Sequence, residues 1–455
     1  MSTFGETHAI PGVYRRPAAR AEGFPRIRTD IAGFVGVAGP RFLNKAIAVD
    51  DWKSYVARFR RDDFGNIVPV PPGSVLDGAV RDYFANGGRR LWIVNVAERL
   101  DAMGAQKLLN TLLGIDAIEP QGLELLLRQD EVSVVAIPEI DARIAVLRDR
   151  GEPGDLLGDP CFGPCVASHP AHNTGPASGD QIESNERLFT DADLLWAQRY
   201  LIDRLLRTRW RWIAVLTPPP GRDARGAADW RQLLLKGIEG ADVAALYWPW
   251  LLAQDSPGAA VEERTPVGAV AGIYAQVDIA IGPHAAPANR TVEGAVGLAA
   301  PVGDEENALA YDAGVNVLRD FPGIGIQLWG ARTLLWRDRG SRGEALAFVN
   351  ARRCLSAICR SAEVIGQPMV FQPNTAIMRI KLHQLMTDYL LRVFAGGALK
   401  GATPEEAFFV QVPPVADTPD GQLVCNIGVA LAAPAEFIVF RIGRESGVIE
   451  RAVAA

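Results

Sequence analysis

The chain has 455 residues, of which 48% are hydrophobic and 22% charged, and a formal net charge of −6. That is the balance of an ordinary water-facing globular protein, long enough for two or three domains. It excludes a general nucleic-acid coat, which needs a basic face to displace counterions.

The most apolar runs, Val132–Pro138 and Leu246–Ala253, fall far short of the ~20 residues a membrane-spanning helix needs. Met1 to Pro17 lacks the apolar centre of a secretion signal. Five cysteines, sparse and odd in number, fit free thiols in a reducing compartment. The chain is therefore expected to be made in the cytoplasm and to stay there unless something larger carries it.

Residues 1–28, rich in Pro, Gly and Arg, read as an extended arm. Ile31–Val37 reads as a short apolar strand. Val75, Leu76, Ala79, Val80, Tyr83 and Phe84 share a helical face, and Asn86-Gly87-Gly88 ends that helix. Strands are predicted at Leu91–Val96 and Val132–Ile137, the second apolar throughout and so buried on both faces. Residues 151–185, with Cys161, Cys165, His169 and His172 among many Pro and Gly, read as a long loop or insertion. Thr190 and Asp193 form a capping-box-like start to a helix reaching about Arg207, and Trp212–Leu216 is again a strand. The alternation of strands and helices indicates an α/β fold, with mixed α+β character.

The last third has the clearest periodicity. Ile324, Ile326 and Leu328 alternate as a strand. Leu346, Val349, Leu355, Ile358, Ala362 and Ile365 line a helix ending at Gly366. Met369–Phe371 is expected as a short strand. Pro373-Asn374 then opens a helix with the stripe Met378, Leu382, Leu385, Met386, Tyr389 and Val393. Strands are expected at Ala407–Val412, Leu423–Leu431 and Phe437–Ile442.

Little points to catalysis. There is no Walker-type loop, no GxGxxG after a strand, no GxSxG elbow and no HExxH. Cys161, Cys165, His169 and His172 fall within twelve residues and could close a zinc site that staples the loop, although their spacing matches no standard finger or ribbon. The other reading is a surface insertion in which they are incidental. Cys354 and Cys359 lie about 140° apart on their helix and read as core packing. Glu139 and Asp141 follow a strand, where carboxylates can be catalytic, but they read better as caps of a following helix. His383, near Arg379, Lys381 and Arg392, marks either a solvated face or a charged docking surface.

Several short blocks resemble the tail sheath family of contractile phage tails and extracellular contractile injection systems. They are Pro11-Gly-Val-Tyr14, Thr29-Asp-Ile-Ala-Gly-Phe-Val-Gly36, Ala79 to Gly88, Pro287-Ala-Asn289, Gly314-Val-Asn316, Trp329-Gly-Ala-Arg-Thr333, Val349-Asn-Ala-Arg-Arg353, Phe371-Gln-Pro-Asn374, Gly396-Gly-Ala-Leu399 and Pro434 to Ile442. Departures include Gln372 in place of a family Glu, Thr265-Pro-Val-Gly268, and the stretch Val412–Gly421.

The resemblance implies a multi-domain structural sheath subunit, not an enzyme and without a cofactor. An N-terminal arm and linker would occupy 1–28, an outer domain 29–310 with its insertion at 151–185, a C-terminal α/β domain near the inner tube 311–445, and a C-terminal arm 446–455. The arms, at Pro11, Gly12, Val13 and Tyr14 and at Val448 and Ile449, would add strands to neighbouring copies. Implied partners are further copies in hexameric rings, an inner tube protein, and baseplate and terminator or cap proteins. Nucleic acid and direct membrane insertion are not implied. Arg379, Lys381 and Arg392 would form a surface that docks on an acidic tube. The alternatives are a baseplate or terminator component that does not polymerise, and an α/β zinc metalloenzyme using the Cys/His loop.

Overall fold

The computed structural model describes residues 27–115, 118–149, 181–207, 211–238, 241–254, 258–336, 346–414 and 422–436. In chain order the strands are β1 (Ala32–Gly36), β2 (Ala46–Val49), β3 (Leu91–Asn95), β4 (Val134–Ala136), β5 (Arg143–Asp149), β6 (Gln181–Arg187), β7 (Ile213–Leu216), β8 (Ala244–Trp248), β9 (Leu251–Ala253), β10 (Glu262–Arg264), β11 (Arg290–Thr291), β12 (Ala295–Leu298), β13 (Asn316–Phe321), β14 (Gly325–Trp329), β15 (Phe408–Gln411) and β16 (Asn426–Val429). Nine of them form one sheet in the order β11-β14-β13-β8-β7-β4-β1-β3-β2. Its centre, from β3 across to β13, is parallel. The antiparallel strands β2, β14 and β11 close the two ends.

Central strands such as Ala32-Gly-Phe-Val-Gly36 and Ala244-Ala-Leu-Tyr-Trp248 are buried at every position, as a sheet covered on both faces requires. The helices of the body are α1 (Trp52–Phe59), α2 (Leu76–Ala85), α3 (Ala105–Leu113), α4 (Gly122–Leu126), α5 (Asp191–Arg207), α6 (Ala224–Leu235), α7 (Val267–Ala280) and α8 (Asp304–Asp312). Alternate strand residues feed two apolar layers. Val35, Val94, Val135 and Ala214 meet α3, α4, α5 and α6, while Phe34, Ile93, Val134 and Ile213 meet α1, α2 and α7.

α2 and α7 pack close because Gly268 and Gly272 of α7 face α2. A Cβ at Gly268 would stand 2.3 Å from the Ala79 carbonyl oxygen, and one at Gly272 would stand 2.4 Å from that of Tyr83. α2 ends where expected, with Gly87 at φ 100. The start of α5 is also as read: Thr190 Oγ1 accepts from the Asp193 amide, and Asp193 Oδ2 accepts from the Thr190 amide.

Beyond the sheet, α9 (Val349–Gly366) and α10 (Ala376–Ala395) pack with the hairpin β15–β16 into a C-terminal unit. Its buried apolar centre is two small groups. One is Cys354, Ile358, Leu390, Ala398, Leu399 and Ala407; the other is Ile365, Leu382 and Met386. Cys354 is thus a core residue, and burial pushes its thiol up to about 12.

Four expectations need correction. A domain boundary at 310/311 would cut the sheet, because β13 pairs with β8 and carries β14 with it; the C-terminal unit begins at α9. The loop expected through residue 185 already becomes strand at Gln181, paired along its length with β5. Met369–Phe371 is not a strand. Pro368, which has no amide hydrogen, sits in a 3-10 turn, and Phe371 takes a left-handed φ of 63. Glu139 and Asp141 cap no following helix. They belong to a 3-10 turn, Pro138–Asp141, and both are buried.

Candidate functional site

Four of the blocks, those holding Thr29, Asn316, Arg332 and Arg353, meet at the seam where the C-terminal unit joins the sheet. Arg353, near the start of α9, grips Asp278 of α7 with two hydrogen bonds of 2.9 and 2.6 Å and donates a third to the Thr29 carbonyl at 3.1 Å. Its guanidinium lies 4.6 Å from the centre of the Tyr274 ring. Arg352 pairs with Asp242 at 2.8 Å, and Asn350 donates to the carbonyls of His284 and Ala432. One turn of helix thereby holds strand-proximal loops, α7 and the end of the C-terminal unit together.

A second clasp lies at Arg332. Its guanidinium sits between the rings of Tyr311 and Trp336, 3.5 Å from each centroid. It binds both carboxylate oxygens of Glu436, at 2.9 and 2.6 Å, and the Tyr311 hydroxyl donates to the same carboxylate. Asn316 fixes the backbone beneath it. Its carbonyl oxygen accepts from the Arg332 amide at 2.6 Å, and its amide donates to the carbonyls of Leu246 and Arg332. Buried pairs of this kind add little net stability when intact. Removing one partner costs about 3–5 kcal/mol, because the other charge is stranded. They therefore fix geometry more than they add stability.

The place where an open α/β sheet usually takes a ligand is filled. Strand order reverses at β1, with β3 on one side and β4 on the other, and ligands bind at the C-terminal ends of strands around such a point. Here the Glu139 carboxyl sits in that crevice. The Ser74 hydroxyl donates to it at 3.3 Å, and the backbone of Val37 and Val75 lies against it. A Cβ on Gly36 would lie 2.8 Å from Glu139 Oε2. Burial pushes the Glu139 carboxyl up to about 8. Asp141 is pushed to the same range by burial, against the pull of Arg187 and Arg143.

The proposed docking residues separate. Arg379 is only 6% exposed and turns inward, donating to Asn374 Oδ1 and to the carbonyls of Pro413 and Gln422. It is a structural residue of the C-terminal unit and takes no part in a basic surface. Lys381, His383 and Arg392 do face outward. Ile377 and Ile380 are exposed near the start of α10, and Phe371, ahead of the helix, is fully exposed. Pro11, Gly12, Val13, Tyr14, Val448 and Ile449 lie outside the described residues, as do Cys161, Cys165, His169 and His172 and the strand expected at Phe437–Ile442. Among the described residues, no group of His, Cys, Asp or Glu is placed to hold a metal ion, and no helix is long and apolar enough to cross a membrane.

Sequence reading missed the seam as a physical object. Its residues were visible as conspicuous blocks, but the partners Asp242, Asp278 and Glu436 lie 75 to 110 or so positions away, beyond any local pattern.

Residues 198–334 match the family model described as the phage tail sheath protein central domain. Solved structures agree in fold. The baseplate of the anti-feeding prophage in its contracted state includes a chain 20% identical, with a TM-score of 0.65, covering 97% of this chain and 100% of that one. The helical sheath of the same particle, contracted, matches at 21% identity and 0.64, covering 96% and 100%. The contracted sheath complex of the extracellular contractile injection system PVC matches at 22% and 0.62, covering 97% and 99%. No curated protein sequence matches.

Proposed function

We propose that this chain is a sheath subunit that polymerises around an inner tube as a helix of stacked hexameric rings and then shortens, driving the tube through a target envelope. The observation that carries this reading is the end-to-end likeness of fold to sheath proteins of two injection systems, both in the contracted state. The filled crevice at Glu139 supports a structural rather than an enzymatic role.

In this reading the work comes from the free-energy difference between an extended and a contracted lattice, and no nucleotide is consumed. Subunits turn as rigid bodies between the two. The clasps at Arg353 and Arg332 suit that task, since they keep the C-terminal unit in register with the sheet while outer contacts change. The arms around Val13 and Val448 add strands to neighbouring copies and keep the lattice connected. Assembly takes place in the bacterial cytoplasm, on a baseplate and under a terminator, and the outward face of α10 docks on the tube.

Electron microscopy of the purified protein tests this. Long striated tubes are expected, and deleting residues 1–20 leaves a folded protein that builds none. The second reading, a baseplate component, is favoured by the equal match to chains from baseplate particles. Discrete rings or monomers in the micrographs select it.

A further inference from the structure

Three successive backbone carbonyls hold the chain as it enters β1, and each is taken by a side chain distant in sequence. The Asp30 carbonyl accepts from the Tyr83 hydroxyl at 3.0 Å. The Thr29 carbonyl accepts from Arg353 at 3.1 Å. The Arg28 carbonyl accepts from Arg360 at 3.3 Å and from the Ser133 hydroxyl at 3.4 Å. The Arg28 side chain forks onto Asp30, at 3.1 and 2.6 Å.

Arg360 is the costly member of this set. It is 9% exposed, and its hydrogen bonds go to neutral acceptors: the carbonyls of Arg28 and Asp130, and the Ser133 hydroxyl at 2.7 Å. Burial and the nearby Arg211 hold its guanidinium below the usual arginine range. A buried cation without a bonded carboxylate is a poor way to stabilise a fold. What it does here is fix backbone, at the point where the N-terminal segment joins the body.

Both arginines reach that point from far along the chain. Thr29 and Arg353 are 324 positions apart, and Arg28 and Arg360 are 332 apart. Both lie on α9, which crosses the N-terminal ends of the parallel strands. Arg352 meets Asp242 just ahead of β8, and Arg360 meets Ser133 just ahead of β4. The direction in which the N-terminal segment departs is therefore set only when the C-terminal unit has docked on a finished sheet.

We infer that Arg353 and Arg360 are positioning residues for the N-terminal arm, and that a copy lends this arm to a neighbour only after its own C-terminal unit has docked. The inference rests on the arm reading proposed above and deepens it by naming what aims the arm. Orienting the segment in advance removes part of its ordering cost on binding. It also keeps unfinished chains out of a growing assembly.

A photo-crosslinking residue at position 13 of the full chain reports which copy lends and which accepts. Arg360→Met strands no bonded carboxylate. As lender, mixed with wild type, it should cross-link to another copy about tenfold less than wild type does. Arg360→Lys, which keeps the charge and loses the fork, should recover part of that loss, and it makes the same comparison if Arg360→Met does not fold. As acceptor of the wild-type arm, each variant should equal wild type, which a general structural defect would not allow. If the folded variant lends as well as wild type, or if lending and acceptance fall together, the positioning role is wrong while the arm reading stands. If position 13 of the wild-type chain cross-links to no other copy, both fall.

Discussion

In the body, every parallel strand feeds two apolar layers at once, and each layer gathers residues from at least three helices. The C-terminal unit, from Val349 to Glu436, has buried apolar groups of six and three residues among those described. Apart from Val349, which is buried in the apolar core of the body, it is held there by Arg332, Arg352, Arg353 and Asn350 through charge and carbonyl contacts. An apolar interface tolerates sliding because its attraction is non-directional. A bidentate guanidinium on a buried carboxylate does not, because its geometry is fixed. The body therefore rests on two broad apolar layers, whereas the C-terminal unit is positioned largely by directional polar contacts.

The largest test of that contrast is Arg353→Met. It strands Asp278, whose carboxyl is pushed up by burial against the pull of the guanidinium. A loss of about 3–5 kcal/mol is expected in denaturant unfolding, and adding Asp278→Asn should recover part of it. A loss under about 1 kcal/mol for the single variant would show that the clasp is ornamental.

Next come two leucine truncations of equal chemistry, each costing about 3 kcal/mol. Leu390→Ala should strip hydrogen-exchange protection from α10 and β15 while leaving β1 and β7 protected. Leu112→Ala should lower protection throughout the body. Identical exchange patterns would mean the two regions unfold as one.

A smaller effect concerns pH. The Glu139 carboxyl titrates near 8 folded and near 4.5 unfolded, so between those values the folded state holds a proton that the unfolded state has released. Stability accordingly declines as pH rises from about 5 to 8 and levels off above. Glu139→Gln should remove roughly half of that decline, with Asp141 left to supply the rest. A melting temperature that falls just as steeply in the variant would contradict the assignment. The smallest is Thr190→Ala, which removes the cap of α5 and should cost about 1 kcal/mol without altering assembly.

How much was legible in the sequence follows from the range of the forces involved. The strands at Ile31, Leu91 and Val132, the helix from Val75, the cap at Thr190 and the stripe at Leu382 and Met386 are written in local periodicity, and they are where expected. The likeness to tail sheath proteins was legible in the short blocks, and the match of residues 198–334 to the sheath central-domain model agrees with it. What failed was set by distant partners. Arg379 reads as a surface cation until the carbonyls of Pro413 and Gln422 are seen to receive it. Glu139 reads as a helix cap until Val37 and Val75, far away in sequence, close over it. β13 and β14 read as the opening of a new domain until β8 is seen to pair with β13, which carries β14.

Cryo-electron microscopy of assembled particles before and after contraction measures the central claim directly. The account predicts that Arg353–Asp278 and Arg332–Glu436 stay bonded in both states, with the C-terminal unit at an unchanged angle to the sheet. A seam that is open in either state, with the C-terminal unit swung away from the sheet, would contradict it.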